Sequence, residues 1–441
     1  MIAARELALF AAAGFLIGGI DELLVDLAWA ARSLRRAVAF RRRPRATVAT
    51  LPLPAASGRF AIFIPAWDES AVIGAMLRHL LGSFGDCVVY VAIYPNDPAT
   101  AAVLAAIADS RLRVVVNERA GPTTKADALN TLWRAMRADE ICDGAKYRGV
   151  VLHDAEDVVH PDELIVFASL IDRFAMIQLP VLPLVDRGSR WIAGTYLDEF
   201  AEHHGKTLLA REETGAGIPS AGVGCVFARA ALETVTAGRD GPFDAASLTE
   251  DYELGLRLRA AGGRAAFVRI EGSDGKLVAT HEHFPATLEG AIKQRGRWIA
   301  GIALHGWDRL NWHGGVAERW MRARDRRTLI ASTVLAAGYV ALLLWAGLWL
   351  FGRGTRFFDL PAWLTISVTA LMVWRLAVRA AFVVAAYGWR QGLLSFPRTF
   401  VANAILIAAS WRAVRLYRES RRSGMVRWDK TAHVFPQSPL S

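Results

Sequence analysis

The 441-residue chain is poor in charge and poor in cysteine. Only 21% of its residues are charged, while 53% are hydrophobic. That balance is too apolar for a wholly water-soluble enzyme and fits a soluble domain joined to membrane segments. The three cysteines, Cys87, Cys142 and Cys225, are scattered, odd in number and without metal-ligand spacing. They argue against a disulfide framework and read as buried thiols in a reducing compartment. No internal repeat stands out, and the only low-complexity stretch is arginine-rich, over residues 35–45. A broad basic face is also missing, despite a net charge of +10. Residues 31–50 carry seven Arg and no acid, residues 319–327 five Arg and one Asp, and residues 412–430 seven basic and two acidic side chains. These windows hold more than the whole surplus and sit beside apolar segments, as cytoplasmic membrane flanks do. Nothing is left over for a polynucleotide, so nucleic acid is not an expected partner.

Long apolar runs are what the chain does have. Residues 328–351 pass 24 positions without a charge, more than the roughly 20 needed to cross a bilayer. Residues 362–388 are apolar except for Arg375 and Arg379. Residues 7–30 are apolar to Ile20 and then carry Asp21, Glu22 and Asp26; with no cleavage site, they read as a retained anchor. Arginine placement puts residues 31–327 in the cytoplasm, the turn at 352–361 outside and the tail after 388 inside. Residues 400–411 are apolar but short, and read as an interfacial or half-inserted helix. Equal rise per residue puts Asp21 level with Arg375 and Asp26 level with Arg379, so these charges are expected to pair. The expected organisation is therefore a membrane helix (1–31), a basic linker (32–58), a soluble domain (59–284), amphipathic interface helices (285–327), two membrane helices (328–388), and an interfacial helix with a cytoplasmic tail (389–441).

The soluble part alternates strands with helices. Strands are expected at 59–65, 87–93, 112–116 and 149–153, and helices at 70–81, 124–138 and 161–172. This is the pattern of an α/β, Rossmann-like, doubly wound and mostly parallel sheet, whose ligands bind at the carboxyl ends of strands. Polar clusters stand at those ends. Asp68 and Glu69 follow the first strand, as ligand acceptors or helix caps. Asp97 follows the second, in a Pro-flanked turn, as a ligand to uracil or ribose or as a local turn residue. Lys125 opens a helix, a placement suited to phosphate. Asp154, Glu156 and Asp157 follow the fourth strand; three acids in four residues repel one another and suit a divalent cation, Mg or Mn. Near 250, Glu250 and Asp251 offer a carboxylate base, with Thr249 placed to form a capping box. Gln294, Arg297 and Trp298, at i, i+3 and i+4, share one helix face that presents an amide, a guanidinium and an indole.

The order of these elements resembles a processive family-2 glycosyltransferase with a GT-A fold. The most specific part is Q-x-x-R-W at 294–298, followed by membrane spans. The segments IPAWDE, YPNDP, KADALN, HDAEDVVHP, TEDYELGLRL, QRGRW and WDKTAHVFP resemble the phage-adsorption-protein-B (NfrB-like) group more closely still. The resemblance implies that Glu69 and Asp97 contact the nucleoside and that Lys125 and Arg297 contact the diphosphate. Asp154 and Glu156 would serve metal and diphosphate, with Asp157 a further metal ligand. Asp251 would be the general base beside Glu250, and Gln294 and Trp298 would frame the acceptor sugar. Gly222, in the Gly-rich stretch 220–224, would let the backbone approach the acceptor. It further implies a UDP-sugar donor, a glycan acceptor, a place in the bacterial inner membrane and an export partner. Glu156 departs from the Asp found there in many relatives. Some relatives continue into a cyclic-dinucleotide-binding domain for which this sequence has no room, so control by that route is not expected. Two other readings stay open, single-sugar transfer to a polyprenyl phosphate and a non-catalytic membrane scaffold.

Overall fold

The computed structural model describes residues 2–41, 46–54, 56–352, 360–423 and 435–436. Parts of the arginine-rich linker, of the turn at 352–361 and of the WDKTAHVFP segment lie outside the described residues. Nine strands are described: β1 (Phe60–Pro65), β2 (Cys87–Ile93), β3 (Leu112–Val116), β4 (Gly149–Leu152), β5 (Met176–Gln178), β6 (Val181–Pro183), β7 (Cys225–Ala228), β8 (Ala265–Phe267) and β9 (Thr280–Glu282). Seven form one sheet in the order β3-β2-β1-β4-β7-β5-β8, and β6 pairs with β9 in a second. Within the large sheet only β7 runs against its neighbours. β1 and β2 are buried along their whole length. They read as unbroken apolar runs because helices cover both faces. β3 is one edge, and Arg113, Val114 and Val116 on it are exposed. One face is packed by the helices Ile73–Ser83 and Glu163–Leu170, the other by Lys125–Asp143 and Glu250–Ala260.

Four helices are long and apolar enough to cross a membrane: Ile2–Ala39, Thr328–Leu350, Ala362–Tyr387 and Trp389–Arg422. They are called here the first to fourth long helices. The last replaces the short interfacial helix expected at 400–411, which is the middle of a continuous helix running from Trp389 to Ser423. Arginines bound the apolar run on both sides, and the fold takes up the first on each side. Arg398 is fully buried, with Nη1 2.9 Å from Asp198 Oδ1, and the Arg412 stem lies against Gly296. The first helix meets its neighbours closely at glycines: a Cβ on Gly14 would strike Val334, and one on Gly19 would strike Leu371. Small residues allow such approach between membrane helices.

The charges where this bundle meets the α/β domain are paired, in part as the sequence implies. Arg375 Nη1 lies 3.0 Å from Glu22 Oε2. Arg379, however, reaches Glu202 at 2.9 Å rather than Asp26. Asp26 instead accepts from Lys206 Nζ at 2.6 Å and from Trp374 Nε1 at 2.8 Å, and Lys206 also donates to Glu202 at 2.8 Å. Arg324 and Arg327 both bind Asp21 and Glu22. A single ion-pair network thus joins the first and third long helices to the α/β domain.

Candidate active site

β1 lies between β2 and β4, where the chain's strand order reverses, and a crevice opens at such a point beyond the carboxyl ends of the strands. A cavity of about 1410 Å³ occupies it. Its walls include Glu69, Lys125, Asp154, Glu156, Glu250 and Asp251, together with Gln294, Arg297 and Trp298 from the Leu288–Ile299 helix. Nine of the twelve residues to which the resemblance gives a role therefore face one space.

Lys125 begins a helix capped by Thr124, whose side chain accepts from Asp127 N. Its ammonium lies 2.5 Å from Asp154 Oδ1. Burial works against that ammonium, but the carboxylates of Asp154, Glu250 and Asp251 outweigh it and hold its pKa above the usual lysine value. Glu250 and Asp251 open the Glu250–Ala260 helix. Burial, and then the Asp251 charge, push Glu250 up to about 7; burial also raises Asp251, against the pull of Lys125. The expected capping box is not formed. Thr249 makes no side-chain cap, and its hydroxyl is buried without a partner among the described residues. Ser247 does the local work, accepting from Thr249 N at 3.1 Å and donating to Glu253 at 2.6 Å.

Three sequence expectations land elsewhere. Asp97 does not line the cavity. It caps the Pro98–Ala105 helix, with Oδ2 accepting from Asp68 N at 2.6 Å and Oδ1 from Thr100 N at 3.2 Å, which is the local turn role of such a residue. Asp157 is fully buried. Its Oδ2 accepts from Asp154 N at 3.0 Å and lies 2.8 Å from His153 Nδ1, while His153 Nε2 lies 2.8 Å from Glu163. It braces the loop from beneath rather than turning into the cavity. Gly222 has φ 81, and a Cβ there would lie 2.2 Å from Asp251 Oδ2. The missing side chain makes room for Asp251, and Gly222 itself is not on the cavity wall.

Gln294 is buried, and its Oε1 has no hydrogen-bond partner among the described residues; neither has Arg297 Nε. Trp298 stands against Tyr196, Phe200 and Phe284, with ring centroids 6.2–6.4 Å away. Buried polar atoms aimed into a space without a partner are the mark of a ligand site.

Glu282, at the end of β9, also lines the cavity. Burial, followed by the charges of Asp157, Glu156 and Asp154, holds its carboxyl well above the usual range. The nearest sequence signal is the run His281-Glu282-His283, which has no cluster spacing of its own. As they stand, no three ligating side chains among the described residues are close enough to hold an ion. The donor chemistry nevertheless fits a hard divalent cation. Carboxylate oxygens of Asp154, Glu156 and Glu282 face one cavity with negative charge in excess.

The comparisons agree with this layout. Residues 57–301 match the model of "Glycosyltransferase like family 2". Over 95% of its length the chain is 35% identical to bacteriophage adsorption protein B of Escherichia coli K12 and to bacteriophage N4 adsorption protein B of Escherichia coli O157:H7. It spans about 60% of the length of those relatives. The mannosyltransferase PcManGT of Pyrobaculum calidifontis, solved with GDP-mannose and Mn2+, shares the fold at TM-score 0.56 and 18% identity, over 93% of this chain and 99% of that one. With a match across more than half its residues, centred on the GT-A sheet and the acids at its strand ends, the chain belongs to glycosyltransferase family 2.

Proposed function

We propose that the protein is an inverting glycosyltransferase that moves a sugar, a hexose or N-acetylhexosamine, from a UDP-sugar to a growing polysaccharide. The observation that carries this is the single cavity shared by Lys125, Asp154, Glu156, Asp251, Gln294, Arg297 and Trp298. Asp251 takes the proton of the acceptor hydroxyl, whose oxygen attacks the anomeric carbon from the face opposite the leaving group. The bond from that carbon to the diphosphate breaks, and Lys125 and Arg297 receive the departing charge. A divalent cation held by Asp154 and Glu156, beside Glu282, would neutralise that diphosphate further. Gln294 supplies a free amide oxygen to the acceptor and Trp298 an apolar ring edge. Asp97 acts on the donor only through the loop it caps, and Asp157 through the Asp154 backbone.

The long helices and the basic stretches at 31–50 and 319–327 support a multi-pass place in a bacterial inner membrane, with the catalytic domain on the cytoplasmic side; an export partner belongs to the same proposal. Single-sugar transfer to a polyprenyl phosphate has one observation in its favour, the extension of the cavity between the long helices. Incubating the purified chain with a panel of nucleotide sugars, and Mg or Mn, tests the main reading. UDP release with sugar entering a polymer is expected. Failure of every donor would overturn the reading in favour of a non-catalytic scaffold.

A further inference from the structure

The cavity does not stop at the edge of the catalytic domain. It continues among the four long helices, where its walls are hydrocarbon, including Ala8, Ala12, Val334, Leu335, Val368 and Met372. Ala8 stands fourteen residues from Glu22 on the first helix, so this arm runs about 21 Å along it. A bilayer's hydrocarbon core is about 30 Å thick. Several polar groups in the arm are answered within the protein. Asn403 Nδ2 donates to Tyr339 OH at 3.0 Å, and Thr399 Oγ1 donates to the Ser395 carbonyl at 3.0 Å. A sugar chain would lose hydroxyl partners on such a wall, whereas a hydrocarbon chain would lose nothing.

Between the acids and this arm lies the ion-pair network where the bundle meets the α/β domain. It joins five cations to four acids, leaving one positive charge in surplus. Glu22, Glu202, Arg324, Arg327, Arg375 and Arg379 of that network line the cavity itself. An anionic group is the natural occupant of such a belt in low-dielectric surroundings. The cavity thus changes along its length from acidic and aromatic, through net basic, to apolar.

We infer that the acceptor is a phosphorylated long-chain lipid carrying the glycan. Its hydrocarbon tail lies between the long helices, its phosphate beside Arg327 and Arg375, and its terminal sugar hydroxyl at Asp251. This rests on the glycosyl-transfer reading of the same cavity. The new bond joins that hydroxyl oxygen to the donor's anomeric carbon, the proton passes to Asp251, and the nucleoside diphosphate leaves with the electrons of the broken bond. The lipid itself is neither oxidised nor cleaved.

Gly18 supplies the test. It lines the arm, and a Cβ placed on it meets nothing within 4 Å, so a large side chain there enters open space. The full chain in lipid nanodiscs is labelled with a long-chain alkyl phosphate bearing a diazirine in its tail, and cross-linked peptides are mapped by mass spectrometry. Labelling is expected at cavity-facing positions of the first three long helices, with competition by undecaprenyl phosphate. Gly18→Trp should lower it about ten-fold, a loss of about 1.4 kcal/mol of binding. Equal competition by phosphatidylglycerol would mean ordinary bilayer lipid and overturn the inference. So would unchanged labelling in Gly18→Trp, or labelling confined to the outer faces of the helices. Competition in the unsubstituted protein decides the matter even if the variant does not fold. Labelling needs no donor, so its failure alongside intact UDP release sinks the lipid site alone.

Discussion

At the scale of single residues the proposed chemistry turns on Asp251 and the groups around it. Asp251→Asn keeps the shape and removes the base; transfer should fall about a thousandfold, while UDP-sugar binding, followed by calorimetry, persists. Glu250 titrates at about 7 because it is buried beside Asp251, so acceptor turnover should decline as pH falls through that region. Glu250→Gln should move the acidic limb of the profile to lower pH; a profile unchanged by that substitution would remove Glu250 from the account. The raised value also has a stability sign. Below about 4.5 the Glu250 carboxyl is protonated in both the folded and the unfolded chain, and its contribution is fully present; it is lost as pH rises through about 7. Most of these residues were legible in sequence because acids at strand ends need a reason to be there. Glu282 was not, since only the pairing of β6 with β9 brings it to acids more than a hundred residues earlier. Asp97 and Asp157 were legible as conspicuous acids, but backbone N–H groups and His153 had prior claims on their oxygens.

At the scale of elements, the site depends on close approaches between segments distant in sequence. The turn before β7 brings Gly222 against the start of the Glu250–Ala260 helix, with the left-handed φ that favours glycine. Gly222→Ala should cost more than about 1 kcal/mol in stability and depress turnover with it, read as a lower thermal midpoint and lower kcat. Lys206 is the corresponding tie on the membrane side, buried between Asp26 of the first long helix and Glu202 of the catalytic domain. Leaving a buried charge wholly unpaired costs about 3–5 kcal/mol; without the Asp26 charge Lys206 keeps Glu202, so part of that loss is expected. Asp26→Asn should therefore lower the detergent-solubilised midpoint far more than Asp86→Asn, whose pairing with Arg59 is exposed. β1, β2 and β4 were readable because both faces are buried and the runs are unbroken. β7 was not, because four residues carry no mark of direction. The fourth long helix was underestimated because its apolar run, 400–411, is short, whereas the helix continues on both sides of it, through Arg398 paired with Asp198 and Arg412 against Gly296.

At the scale of the whole molecule, the sheet, the Q-x-x-R-W helix and the long helices enclose one space. The spacing of Gln294, Arg297 and Trp298 gave their shared face in advance; that this face closes over the acids at the ends of β1 and β4 required the fold. The central claim is that these separated clusters form a single cation-dependent donor pocket. The measurement that tests it most directly is calorimetric binding of a UDP-sugar to the purified full chain, with Mn2+ and with chelator, in the native protein and in Arg297→Ala. Binding that requires the cation and weakens about ten-fold or more without Arg297 is the predicted result. Binding indifferent to both the cation and Arg297 would contradict it.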